Sequence, residues 1–139
     1  MNVGLDIPPR AVRVLIVDDS PDNRELLEIM LNWDGFVTLT ASSGEEALAS
    51  AAEQLPDLML LDFVLPGLSG CEVAARMKSN LSTRDIPIII ISGMGDSANR
   101  SRALSAGADD FITKPIDRSE LCQRVRNILR LKSAAVGFA

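Results

Sequence analysis

Five residues carry most of the chemistry this chain can offer: the paired acids Asp18 and Asp19, the single acid Asp62 ahead of Pro66 and Gly67, Ser92 ahead of Gly93, and Lys114 ahead of Pro115. Brought together, the carboxylates would repel one another strongly. A hard divalent cation with oxygen ligands offsets such repulsion, and Mg2+ suits because it keeps several waters and needs few carboxylates. A cation, the Lys114 ammonium and the Ser92 hydroxyl around one carboxylate form an electrostatic cradle for a phosphoryl group. Asp62 would then be the nucleophile and would end as an aspartyl phosphate. Taken singly, each residue has an ordinary reading as a helix cap, a turn residue or a strand exit. The chain has no histidine, which excludes Ser/His and Cys/His triads and any phosphohistidine of its own.

The elements that position these residues follow from apolar periodicity. Residues 12–17 form a continuous apolar run interrupted only by Arg13 and ending on Asp18 and Asp19, which predicts a buried strand. Ser20 can cap the helix that follows, Pro21 suits its first turn, and Leu27, Met30 and Leu31 give it an apolar stripe up to Asp34-Gly35. Residues 36–41 make a short second strand. Ser43 and Glu46 form a capping box for a second helix, with Ala47, Leu48, Ala51 and Leu55 facing inward. The apolar run 58–61 reads as a strand buried on both faces and ends on Asp62.

Ser69 and Glu72 form another capping box, opening a helix through about Asn80. Residues 86–91 are the most apolar stretch and end at Ser92, before Gly93-Met94-Gly95. A fourth helix, about 96–106, stops at Gly107, and a fifth strand, 109–113, ends at Lys114-Pro115. Asp117 and Glu120 open the last helix, whose stripe is Leu121, Val125, Ile128 and Leu129. Strand and helix alternate throughout, so the predicted fold is α/β: a doubly wound, five-stranded parallel sheet with five helices. A flavodoxin-like order 2-1-3-4-5 puts helices one and five on one face and two, three and four on the other. Asp18, Asp19, Asp62, Ser92 and Lys114 then converge at the carboxyl edge of neighbouring strands, and Cys71 and Cys122 are separated by the sheet.

Composition agrees with one domain, 11–132, between a loose leader, 1–10, and a frayed tail, 133–139: the chain has 139 residues, 47% hydrophobic and 24% charged. A net charge of −5 argues against attraction to nucleic acid or anionic membrane. Arg118, Arg124, Arg126, Arg130 and Lys132 read as a solvated basic face in preference to a nucleic-acid contact. No apolar run reaches spanning length and no signal-peptide pattern opens the chain, which predicts a cytoplasmic protein with reduced cysteines.

The chain resembles the receiver domain of two-component response regulators, the CheY-like family. The resemblance rests on Val17-Asp18-Asp19-Ser20, the stretch 60–70 with Asp62, Pro66 and Gly70, Ile90-Ile91-Ser92-Gly93, Gly107-Ala108-Asp109-Asp110-Phe111, and Thr113-Lys114-Pro115. It implies that Asp62 is the phospho-acceptor, Asp19 a direct Mg2+ ligand, Asp18 a ligand acting through water, and the Val64 carbonyl a third protein ligand. Ser92 matches the hydroxyl that bonds the phosphoryl oxygen, Lys114 the ammonium that pairs with it, and Phe111 the aromatic switch that turns inward when Ser92 moves. Phe111 reads equally as an ordinary core aromatic.

The implied donor is a histidine kinase or histidine phosphotransfer protein. The implied output is a downstream protein or fused domain, reached through the face of helix four, strand five and helix five, where a homodimer could also form. The resemblance implies a switch that phosphorylates itself from small donors and hydrolyses slowly, not a metabolic enzyme. Val64 and Met94 occupy the positions that flank the attacking water in this family, and apolar groups there predict a long-lived phosphoryl group. Three other readings stand beside it. A Mg2+-dependent aspartyl-phosphate hydrolase or phosphotransferase would want a lid that these short loops lack. A flavodoxin-like cofactor carrier would want a glycine-rich first loop in place of the acidic one. An interaction domain with a vestigial site is opposed by the complete Asp, Ser and Lys set.

Overall fold

Long β-branched and leucine runs, bounded by polar and turn residues, give the three central strands of the sheet, which are buried on both faces. A computed structural model describes residues 11–93 and 95–137, with side chains described within 11–93 and 95–132. The expected leader, Met94 and the last two tail positions lie outside the described residues. The elements in order are β1 (Arg13–Val17), α1 (Pro21–Trp33), β2 (Val37–Ala41), α2 (Gly44–Gln54), β3 (Leu58–Asp62), α3 (Gly70–Ser79), β4 (Ile88–Ser92), α4 (Ser97–Ser105), β5 (Asp110–Thr113) and α5 (Arg118–Gly137). All strand pairs are parallel, in the order β2-β1-β3-β4-β5. This is the doubly wound α/β fold expected from the sequence.

Alternation along the strands divides the core into two layers. Leu15, Val17, Met59, Leu61, Ile88 and Ile90 pack with Ala47, Ala51, Val73, Ala74, Met77 and Ala103 from α2, α3 and α4. Val14, Ile16, Leu58, Leu60, Ile89 and Ile91 pack with Leu27, Leu31, Leu121, Cys122 and Val125 from α1 and α5. The helices therefore lie on the faces expected. Cys122 is buried among α1 and α5 residues while Cys71 lies on α3, and both are free thiols.

Register decides what meets at the sheet edge. Val17 lies beside Leu61, so Asp18 follows beside Asp62. Asp62 lies beside Ile91 and Ser92 beside Thr113, so Ser92 and Lys114 leave the sheet next to the acid.

Local signals hold in most places. Ser20, Ser43, Ser69 and Asp96 cap their helices, and the Ser69/Glu72 capping box is complete in both directions. Gly107 takes the left-handed conformation after α4 (φ 116°). At α2 the box is half formed: Ser43 accepts from the Glu46 N–H at 3.1 Å, but the Glu46 carboxylate takes the Ser42 hydroxyl at 2.9 Å instead. Leu55 does not face inward. It is the left-handed C-cap of α2 (φ 48°) and is 49% exposed. Pro56 disfavours the helical conformation at the residue before it, and Arg13 fastens the resulting turn: its guanidinium donates to the carbonyls of Gln54 and Leu55 while its backbone N–H donates to Asp57 Oδ2. Helix α5 continues to Gly137, beyond the start expected for the tail, through residues such as Ala134 and Ala135 that favour helix.

One glycine is fixed by close approach. A Cβ on Gly70 would lie 2.3 Å from the Asp62 carbonyl oxygen and 3.0 Å from Phe63 Cα, so the N-terminus of α3 rests directly on the strand end that carries the acid. Gly93 has open space around its Cα. Gly70→Ala is expected to destabilise the fold by about 1–3 kcal/mol through overpacking, and Gly93→Ala by no more than about 0.5 kcal/mol. Denaturant unfolding of the two variants checks this, and equal losses would contradict it.

Candidate functional site

The site is built from strand ends that the backbone itself holds in place. Asp18 follows β1 and is 2% exposed; its Oδ1 accepts the Ser20 N–H at 2.9 Å. Asp19 is exposed beside it. Asp62 ends β3 at 8% exposure, and its Oδ1 accepts the Val64 N–H at 3.2 Å. Lys114 donates its backbone N–H to the Ser92 carbonyl at 2.8 Å, which keeps the β5 exit against the end of β4. Its Nζ then reaches within 3.7 Å of Asp62 Oδ2. Ser92 is 1% exposed at the same edge. A cavity of about 100 Å³ adjoins the cluster, with Asp18 and Lys114 at its polar side and Leu27, Ile91 and Ile116 at its apolar side.

Carboxylate oxygens of Asp18, Asp19 and Asp62 all lie within 4.8 Å of one another. Burial, reinforced by the Asp18 carboxylate, pushes Asp62 up from 3.8 to about 6, against the opposing pull of Lys114 and the Val64 N–H. An all-oxygen donor set under this charge congestion fits a hard cation of the Mg2+ class and not a softer metal. The side chain of Val64 is 65% exposed beside the acceptor, while Met94 falls outside the described residues. Phe111 lies inward at 2% exposure, its ring edge-on to Phe63 with centroids 6.4 Å apart and planes at 84°. Trp33 sits at the far end of α1, 77% exposed under the Arg118 guanidinium.

The sequence-predicted acids, Ser92 and Lys114 are thus brought to one edge. Sequence reasoning missed Arg24, whose Nη1 donates to the Asp18 carbonyl at 2.8 Å. The available signal was its spacing: Arg24 stands three and seven residues before Leu27 and Leu31, on the buried stripe of α1.

A doubly wound parallel sheet with an acid cluster, a serine and a lysine at its carboxyl edge defines the class: an α/β domain whose polar site lies at the strand ends. Comparison with known proteins makes this specific. The family model for the response regulator receiver domain matches residues 14–126, and the chain belongs to that family. It is 42% identical over 122 residues to Response regulator PleD of Caulobacter vibrioides, covering 88% of this chain and 27% of that protein. It is 43% identical over 117 residues to the phosphate regulon transcriptional regulatory protein PhoB of Pseudomonas aeruginosa, covering 84% of this chain and 51% of that protein. The chain therefore spans between about a quarter and a half of these relatives' lengths.

Among solved structures, a putative response regulator from Chloroflexus aurantiacus superposes with a TM-score of 0.84 at 36% identity, over 87% of this chain and 99% of that one. The receiver domain of sensor histidine kinase PA1611 of Pseudomonas aeruginosa, described with magnesium in its active site cleft, gives 0.81 at 29% identity, over 86% and 98%. Among the described residues, no helix is long and apolar enough to cross a membrane.

The raised pKa of Asp62 has a definite sign. The folded protein holds this proton more tightly than the unfolded chain, so the group's contribution to stability falls as pH rises from about 4 to about 6. Without divalent cation, Asp62→Asn is expected to stabilise the protein near neutral pH by about 1–3 kcal/mol, with the gain shrinking toward pH ~4. Urea unfolding with a chelator at both pH values checks this, and destabilisation at neutral pH would contradict it.

Proposed function

We propose that this domain is a phosphorylation-controlled switch that accepts a phosphoryl group on Asp62 from the phosphohistidine of a histidine kinase or histidine phosphotransfer protein. The observation that carries the reading is Asp62 itself: a nearly buried carboxylate, pushed up to about 6 yet ionised at neutral pH, with Lys114 Nζ 3.7 Å away. In the reaction an Asp62 carboxylate oxygen forms the new bond to phosphorus as the phosphorus–nitrogen bond breaks, and the electron pair leaves on the imidazole, which is then neutral or protonated according to pH. Mg2+ held by Asp18, Asp19, Asp62 and the Val64 carbonyl would supply charge neutralisation at the phosphoryl oxygens. Lys114 balances one negative charge from the β5 side, the Ser92 hydroxyl serves as hydrogen-bond donor to a phosphoryl oxygen, and the Val64 N–H holds the acceptor carboxylate in line.

Hydrolysis of the acyl phosphate needs a water oriented at phosphorus. The apolar side chains of Val64 and Met94 cannot orient it, which supports a long-lived phosphoryl group. The switch is read out when Ser92 moves toward the phosphoryl group and the packing of Phe111 changes in response. The face of α4, β5 and α5 displays the change to a downstream protein, to a fused output domain or to a second copy. We further propose that the domain acts in the cytoplasm, contacts neither membrane nor nucleic acid directly, and turns over no metabolite. Any contact with nucleic acid would then belong to an output domain, as the name of the PhoB relative suggests.

Intact-mass analysis after incubation with Mg2+ and acetyl phosphate tests the assignment. One phosphoryl adduct is expected, dependent on Mg2+ and absent from Asp62→Asn; no adduct on folded protein would favour a vestigial-site interaction domain. Met94→Glu is expected to shorten the adduct's lifetime by roughly tenfold or more. An unchanged decay rate would remove Met94 from the account.

A further inference from the structure

The turn from β1 into α1 carries two of the clustered carboxylates, and a single side chain closes it. Asp18 Oδ1 accepts the Ser20 N–H at 2.9 Å, the Ser20 carbonyl accepts the Arg24 N–H at 3.0 Å, and Arg24 Nη1 donates back to the Asp18 carbonyl at 2.8 Å. Asp19 therefore sits between two pinned peptide units. The unit before it is held at its oxygen by Arg24, and the unit after it is held at its nitrogen by Asp18. Those two bonds restrict the backbone torsions of Asp19, and with them the direction in which its exposed side chain leaves the chain at Cα.

We propose that Arg24 is a positioning residue for the cation site: by holding the Asp18 carbonyl, its guanidinium aims the Asp19 carboxylate at the oxygens of Asp18 and Asp62. The proposal rests on the Mg2+ reading of the site given above. Arg24 is half-buried on α1, three and seven residues before the buried Leu27 and Leu31, and its head reaches the loop to hold the Asp18 carbonyl. A planar guanidinium is well suited to hold one carbonyl in a fixed direction.

Positioning and plain charge make opposite predictions here. A guanidinium near three carboxylates repels an incoming cation, so if Arg24 acted by charge alone its removal would tighten cation binding. If it acts by aiming Asp19, its removal weakens binding, as loss of a partner that orients a ligand does. The sign of the change separates the two.

Calorimetric titration of the full chain with MgCl2 provides the test, beside Arg24→Ala and Arg24→Lys. Arg24→Ala is expected to weaken Mg2+ binding about tenfold or more, and Arg24→Lys, which keeps a donor and the charge, to recover most of that loss. In metal-free protein, hydrogen exchange at the Ser20 amide is expected to accelerate in Arg24→Ala while the β3 amides keep their protection. Should Arg24→Ala lose that protection, Arg24→Met retains the apolar stem and serves in its place. Unchanged or tighter Mg2+ binding, or an unchanged Ser20 exchange rate, would overturn the proposal while leaving the function above intact. No Mg2+ binding by the unmodified protein would overturn the cation reading of the site and this proposal with it.

Discussion

Mutual repulsion among Asp18, Asp19 and Asp62 is the constraint on which the rest of this structure turns. Acid oxygens within 4.8 Å of one another at a partly buried edge would spread apart if their carriers could move. They cannot, because two of the three are held by backbone donors one turn away, from Ser20 and Val64. The strands beneath them have equally little freedom: every residue of β3 and β4 is buried, and parallel neighbours fix their register. A one-residue slip of β3 would carry Asp62 to the opposite face and exchange the side chains of Leu58 to Leu61 between the two apolar layers, each already packed for the other set. The apolar layers therefore maintain an arrangement that the charged edge opposes.

That division of labour explains what could be read from sequence. An apolar run that stops at a polar residue marks the end of a buried strand, as at Asp18, Asp62 and Ser92, and once strands alternate with helices the topology follows from connection rules. The site was legible because its residues coincide with the places where strands must stop. Leu55 was misread. Its spacing from Ala51 puts it on the inner face of α2, but Pro56 ends the helix at the residue before it, and Arg13, distant in sequence, takes the carbonyls of Gln54 and Leu55 that the helix leaves open. Arg13 had looked like an interruption of β1 and is instead the fastening between that strand and α2. Sequence spacing also could not separate the adjacent acids into a buried one, Asp18, and an exposed one, Asp19, since that depends on which way a loop peptide turns.

The same close packing supplies a physical route from the acceptor to the rest of the domain. Phe63 follows Asp62 directly, donates its N–H to the Ile91 carbonyl at 2.8 Å, and meets Phe111 edge-on. Phe111 belongs to the layer of core shared by α2, α3 and α4. A Cβ on Gly95 would lie 2.5 Å from Thr113 Cγ2, so the loop entering α4 rests on the last residue of β5, next to Lys114. A displacement at the strand edge must be absorbed by these contacts, because close-packed side chains exchange between discrete arrangements and do not deform smoothly.

Charge congestion also decides how strongly such a site can respond. A carboxylate pushed up to about 6 by burial and by a neighbouring acid is destabilised in its ionised form before anything binds. A cation that relieved this repulsion would gain the relief as part of its affinity, and on the function proposed above a phosphoryl group would bring new negative charge for that cation and Lys114 to balance. The empty-charge state and the balanced state therefore differ in free energy for reasons already present in the resting fold, and no new interaction has to be created elsewhere. Were Asp62 in open water with an ordinary pKa, the same ligands would bind with less effect on its surroundings, because less strain would be released. Charge repulsion is concentrated at the edge where a ligand would relieve it, and the two apolar layers on either side of one sheet hold that edge in place.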